Sequence, residues 1–217
     1  MFLLLLQLPV FGFTATAQPD PSVQIARIKY DGGGDWYSDD KSLAELLKFV
    51  SENTLLDVAL EEEVVDLDSD KIFTYPYLYL TGHGNVAFSP RQVDRLKRYL
   101  ENGGFLHIDD NYGLDKPIRR ELKKVFPEKE LTELPYSHPI YHVHYEFSRG
   151  LPKIHEHDGK PAQGFGLFHE GRLVVFYSYE SDLGDGWEPA SVHNNPPEKR
   201  QAALQMGTNI LVYAMKQ

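Results

Sequence analysis

His83 stands between two glycines in Thr81-Gly82-His83-Gly84, and Asp109, Asp110 and Asn111 stand together further along. An imidazole titrating near pH 6.5 exchanges protons at neutral pH, and a carboxylate beside it fixes its tautomer. His83 with Asp109 or Asp110 therefore reads as a general base with its orienting acid. Imidazole and carboxylate together also suit zinc or another divalent ion. A second group is His138, His142 and His144. If Tyr141–Phe147 is a strand, His142 and His144 point to one face about 7 Å apart and could hold a metal with Glu146 or His138. The plain alternative is a strand turning its polar side to water. His155-x-His157 is a weaker pair among loop residues. Asp182-Leu183-Gly184-Asp185-Gly186-Trp187-Glu188 puts three carboxylates on a glycine-bent loop. Calcium favours such oxygens, although the twelve-residue EF-hand register is missing. Trp187 beside these acids fits either carbohydrate stacking or a plug in the local core.

The elements that must position these groups are written around Tyr75–Asp110. Tyr77–Leu80 is apolar throughout, as a strand buried on both faces should be, and Gly82-His83-Gly84 ends it. Ser89-Pro90-Arg91-Gln92 is a helix start: Ser as N-cap, Pro at the first position, Gln three residues after the cap. Val93, Leu96 and Leu100 form the buried stripe, Gly103 or Gly104 closes the helix, and Phe105–Ile108 is the next strand. Strands joined by such a helix run parallel with a right-handed crossover. His83 and Asp109–Asn111 must then share the carboxyl edge of one sheet.

Upstream, Val23–Tyr30 alternates apolar and polar and reads as a first strand, followed by the Gly32–Gly34 loop with Asp31, Asp35 and Trp36. Leu43, Leu46, Leu47 and Val50 recur at helical spacing behind Ser38-Asp39-Asp40, which supplies the N-cap. Leu55–Leu60 reads as a short second strand, and the acid-rich run Glu61–Asp70 as a solvated connection. Downstream, a helix opens at Lys116-Pro117 and stops at Phe126-Pro127. Gly164–Leu167 and Leu173–Tyr179 form a hairpin, and a last helix runs from Pro197 with Ala203, Met206, Gly207, Ile210, Leu211 and Ala214 on one face. The carboxyl edge so built gathers Asp31, Trp36, His83, Asp109, Asp110, Asn111, Asp182, Asp185 and Trp187. Polar groups arriving from separate strand ends are what a ligand site requires.

Residues 1–17 carry an apolar run and end in Ala15-Thr16-Ala17, the pattern of a cleaved secretory leader. The remaining 18–217 fit one α/β domain, secreted or periplasmic, with no membrane span once the leader is removed. A formal charge of −10 argues against a nucleic-acid partner, for which a basic face is the footprint. The chain has no cysteine, hence neither disulfides nor a thiol nucleophile.

The strand ending in a Gly-flanked turn, the Ser-Pro-capped helix RLKRYLENGG and the strand FLHIDD together resemble the class I glutamine amidotransferase-like superfamily, including its trehalose-utilisation branch. More closely, LTGHG, RYLENGGFLHIDD, HPIYHVHYEF, KIHEHDG, DLGDGWE and MGTNILVYAM are similar to a bacterial family known as domain of unknown function 4159, over Ile25–Met215. The resemblance implies a flavodoxin-like three-layer sandwich with a mostly parallel sheet, and no established activity. Amidotransferases place a cysteine on the turn occupied here by His83, so glutamine hydrolysis through a thiolate is excluded. Three functions stay open. The chain is a binding module for a small molecule or protein, a His/Asp hydrolase that works with or without a divalent metal such as zinc or calcium, or a carbohydrate binder using Trp36 and Trp187.

Overall fold

The structure is a computed structural model that describes residues 23–217; the expected leader, 1–17, lies outside the described residues. The chain runs β1 (Ile25–Lys29), α1 (Ser42–Asn53), β2 (Glu63–Asp66), β3 (Tyr77–Leu80), α2 (Pro90–Glu101), β4 (Phe105–Asp109), α3 (Asp115–Val125), β5 (Thr132–Glu133), β6 (Gln163–His169), β7 (Arg172–Tyr179), α4 (Leu183–Trp187), α5 (Ala190–His193) and α6 (Pro197–Lys216). All seven strands form one sheet in the order β2-β1-β3-β4-β7-β6-β5. The five from β2 to β7 in that order are parallel, and β6 and β5 continue the sheet antiparallel. This is a mixed α/β fold with a mostly parallel sheet between helices.

Each central strand buries both faces because its alternate side chains enter different cores. Leu78 and Leu80 of β3 pack with Leu96 and Leu100 of α2 and with Ile118 and Leu122 of α3. Tyr77 and Tyr79 of the same strand pack on the other side with Leu43, Leu46 and Leu47 of α1, Trp187 of α4 and Met206 and Ile210 of α6. An apolar strand without alternation is therefore what a parallel sheet covered on both sides demands.

The helix start at Ser89 forms as its sequence requires. The Gln92 N–H donates to Ser89 Oγ at 3.2 Å and the Ser89 N–H donates to Gln92 Oε1 at 2.9 Å, so two otherwise orphaned donors are satisfied reciprocally. Ser89→Ala is expected to cost about 1 kcal/mol, read as a lower denaturant midpoint with an unchanged m-value.

Four local expectations are corrected. The second strand is not Leu55–Leu60 but Glu63–Asp66, inside the run read as a solvated connection. Val65 is buried against the sheet while its neighbours face water, which an edge strand permits. Within Leu55–Leu60 the chain makes an isolated bridge at Val58 to Val23, through the Asp57 carbonyl and the Ala59 N–H, and no strand. Strand β1 is not polar on alternate positions, since Arg27 is 1% exposed. Its guanidinium meets Glu62 at 3.0 Å and donates to the carbonyls of Ser38 at 2.7 Å and Asp39 at 3.0 Å, which explains how a charge can lie buried there. Tyr141–Phe147 is not a strand. Pro139–Tyr141 is a single 3₁₀ turn capped by His138, whose Nδ1 accepts the Ile140 N–H at 3.3 Å. Finally, α1 is not capped by Ser38, Asp39 or Asp40: Lys41 holds the N-cap position without a side-chain bond, and its N–H donates to Glu188 at 2.9 Å. Asp39 is thereby left for another role.

Candidate functional site

The carboxyl ends of β4 and β7 are adjacent, and what leaves them is fixed by Asp109. Fully buried, its carboxylate accepts the N–H groups of Leu183 at 3.2 Å and Gly184 at 2.6 Å, the Ser178 hydroxyl at 2.6 Å and the Tyr79 hydroxyl at 3.4 Å. It thus pins the start of α4 to the sheet, and with it Asp182 and Asp185. Glycine at 184 permits this approach, because a Cβ there would lie 2.9 Å from Asp39 Oδ2 and 3.2 Å from Asp109 Oδ2 and would displace those carboxyls. Asn111, also buried, donates to Asp39 Oδ2 at 3.2 Å and accepts the Thr81 hydroxyl at 3.4 Å. Four non-glycine residues adopt left-handed backbone here: Asp39 (φ 54°), Glu180 (φ 55°), Asp182 (φ 59°) and Asn194 (φ 54°). Strained conformations concentrated in one place are a mark of functional sites.

The convergence is on Asp182 and Asp185. His157 Nε2 lies 3.0 Å from Asp182 Oδ2, and His155 Nδ1 lies 3.4 Å from the same oxygen. His155 Nδ1 also pairs with Asp185 Oδ2, and His193 Nε2 lies 3.2 Å from Asp185 Oδ1. Two sets of ligand atoms come together within 4.8 Å of one another: His155, Asp185 and His193, and Asp39, Asp182 and Asp185. Asp185 belongs to both. Two polar atoms of this cluster are buried without a partner among the described residues, Asp182 Oδ1 and His157 Nδ1. A buried acceptor left unsatisfied costs about 1–3 kcal/mol unless something outside the chain meets it.

The electrostatics follow from crowding. Burial, then the charges of Asp185 and Asp182, push the Asp39 carboxyl up to about 8. Asp185 is likewise raised by burial and by Asp182. For Asp182 burial pulls upward too, but the imidazoles of His155 and His157 outweigh it and hold the carboxyl below its ordinary range. Its hydrogen bond in turn raises both histidines. Burial and Asp182 raise Asp109 to about 7. With three carboxyls this close, the raised Asp39 favours its protonated form at neutral pH, in which it donates to Asp185.

Other residues singled out from sequence lie differently. His83 pairs with Asp35, its Nδ1 at 3.1 Å from Oδ2 and its N–H on Oδ1, and not with Asp109 or Asp110. Both partners are partly exposed. Gly82 comes so close to the Tyr30 hydroxyl that no Cβ would fit, which accounts for one of the glycines flanking His83. Asp110 accepts the Glu180 N–H at 3.0 Å, and burial raises it to about 6. Asp31 is exposed, and its carbonyl accepts the Ala87 N–H at 2.7 Å. Trp36 is half-buried under Lys29. Trp187 is 0% exposed, its Nε1 donating to the Ala203 carbonyl, so it plugs the core and offers no face to a sugar. His138 packs against Phe168 and Tyr213. His142 Nδ1 pairs with Glu146 at 2.7 Å, and His144 Nε2 lies 3.1 Å from the Asn53 carbonyl. Neither belongs to a metal-competent group among the described residues.

Sequence reasoning passed over Asp39 as a cap and His193 entirely, and ranked His155 and His157 low. Asp39, His155 and His157 sit in irregular segments and His193 ends the one-turn helix α5, too short for periodicity to show. The usable signal was the density of histidine and acid in KIHEHDG and DLGDGWE.

Beside the cluster opens a cleft of about 740 Å³, walled by Asp110, Tyr112, Lys116, Arg120, His157 and Tyr179 among others. His157 therefore touches both, with Nε2 on the cluster and Nδ1 unpaired. The structure is a mixed α/β fold with a mostly parallel sheet, and its cleft lies outside the carboxyl ends of the strands, where open α/β sheets place their crevice. A family model described as domain of unknown function (DUF4159) matches residues 24–215, and the chain belongs to that family. No curated protein matches it.

Proposed function

We propose that this chain is a divalent-cation-binding α/β domain that uses its ion to hydrolyse a ligand held in the adjoining cleft. One observation carries the reading: Asp39, Asp182 and Asp185 bring ligand atoms within 4.8 Å of one another, and Asp185 does the same with His155 and His193. The orphaned Asp182 Oδ1 points the same way. Mixed imidazole and carboxylate donors suit zinc or manganese better than calcium, which prefers six to eight oxygens.

A bound ion of this kind lowers the pKa of its water to about 7 and so supplies hydroxide at neutral pH. The residues themselves divide the work. Asp185 offers one carboxylate oxygen toward His155 and the other toward His193, Asn111 orients Asp39, and Asp109 anchors the loop that carries Asp182 and Asp185. The half-exposed edges of His155 and His193 leave the centre open to solvent and ligand.

The parallel part of the sheet, in the order β2-β1-β3-β4-β7, supports a flavodoxin-like arrangement with β7 as fifth strand. The amidotransferase-like likeness, on this reading, extends to the fold and not to the chemistry, and the apolar segment before residue 18 supports export.

Metal analysis of protein prepared without a histidine tag is the test. At least one zinc or manganese per chain after dialysis is expected. A metal-free protein would overturn the proposal.

A further inference from the structure

The cleft beside the cluster has an unusual charge account. Of its acids, Glu180 is met by the Lys153 ammonium and the Asp158 N–H, and Asp115 by Arg119 and the Tyr177 hydroxyl. Asp110 accepts the Glu180 N–H. Asp158 remains exposed at the rim near Lys160. The bases are less engaged. Lys116 is exposed and has no ion pair among the described residues, and Lys160 Nζ donates only to the Tyr179 hydroxyl at 2.8 Å. In a chain of net charge −10, this wall offers spare positive donors.

Two further features lie at the same place. Helix α3 begins here with Leu114 at its N-cap, making no side-chain cap bond, so the N–H groups of Asp115 and Lys116 have no cap acceptor, while Pro117 carries no N–H and Asp115 is the acid of the first turn. The His157 side chain, 8% exposed, lines the cleft with Nδ1 buried and unpartnered while Nε2–H donates to Asp182.

We propose that this cleft binds a phosphate group, seated on Lys116, Lys160 and the start of α3, with His157 in its wall offering the unpartnered Nδ1 as an acceptor for a phosphate hydroxyl, and that the substrate of the centre is a phosphate ester. Phosphate is favoured over carboxylate by the kind of donor left free. Arg120, whose planar fork would hold either anion bidentately, has Nε and one Nη committed to Glu121, Asn85 and the Val86 carbonyl, which leaves the lysines as the free charges. Lysine point charges at a helix start are phosphate chemistry. In the reaction, water oxygen bonds to phosphorus, the P–O bond to the alcohol breaks, and the alcohol leaves with a proton from the attacking water. This step rests on the proposed metal centre; the binding does not.

The test is calorimetric titration of the full chain with inorganic phosphate, and separately with citrate, alongside metal analysis of the same samples. One phosphate per chain is expected, weakened about tenfold or more in Lys116→Gln/Lys160→Gln with metal content unchanged. Binding that ignores these substitutions, no saturable binding, or citrate binding more tightly than phosphate would each overturn the assignment. Phosphate binding lost in the lysine variant of a chain that holds no metal would sustain the cleft and remove the hydrolysis, so the two readings fail separately.

Discussion

Asp185→Asn is expected to reduce affinity for zinc or manganese by at least about 100-fold, the upper end of what even indirect partners of a metal contribute. Asp185 is the one residue common to both ligand groups. Its Oδ1 faces His193 and its Oδ2 faces His155. An amide keeps the shape but replaces one of those oxygens with an NH₂ group, which cannot ligate, and removes the charge that the ion would neutralise. The fold should survive, because burial and Asp182 already disfavour the ionised form of Asp185. Competition against a chelator measures the affinity and circular dichroism checks the fold; an unchanged affinity in a folded variant would count against the centre.

The second large effect is on stability against pH. Asp39 ionises near 3.8 when unfolded and near 8 when folded. Between these values the folded chain holds a proton that the unfolded chain has released, so what Asp39 contributes to the stability of the metal-free protein falls as pH rises from about 4 to about 8. Asp109 and Asp110, raised to about 7 and about 6, act in the same sense. The raised histidines His155 and His157 also lose their contribution as pH rises through their folded values. Asp182, Glu121 and Glu180 oppose them, since their depressed carboxyls lose their contribution on acidification, and so do His107 and His138, which burial keeps neutral in the fold while the unfolded chain takes up a proton. Metal should invert the slope, because carboxylates must be deprotonated to ligate.

Asp39→Asn mimics the protonated acid permanently. Asparagine tolerates the left-handed backbone at this position, accepts from Asn111 and donates to Asp185. The metal-free variant should gain about 1–2 kcal/mol at pH 8, or about 2–8 °C in Tm, and bind metal poorly. Thermal melts at pH 5 and pH 8, with and without metal, read both effects. A variant less stable than the parent at pH 8 would contradict the crowding of carboxylates described above.

Much of the scaffold was legible because it is written in local rules. The Ser89 capping box, the apolar strand Tyr77–Leu80 and the helical spacing after Pro197 each carry their own explanation, and each forms. Strand β2 was not legible, since an edge strand with one buried valine looks like an acidic loop. Arg27 was misread because its burial depends on Glu62 and on loop carbonyls far along the chain. At the site, the carboxyl edge and the acids of α4 were expected, but their histidine partners were not. Topology pairs His83 with Asp109 or Asp110, whereas the turn closes on Asp35, Asp109 faces α4 and Asp110 accepts the Glu180 N–H. Sequence fixes which edge a group reaches, while the partner it meets there depends on loop geometry.

The most direct measurement is an anomalous difference map from crystals soaked in manganese or zinc. The expected result is a peak among Asp39, Asp182, Asp185, His155 and His193, at about 2.0–2.2 Å from the ligating oxygens and nitrogens. Diffraction that shows these side chains well ordered and no peak between them, or a peak only at His142 and His144, would contradict the metal centre.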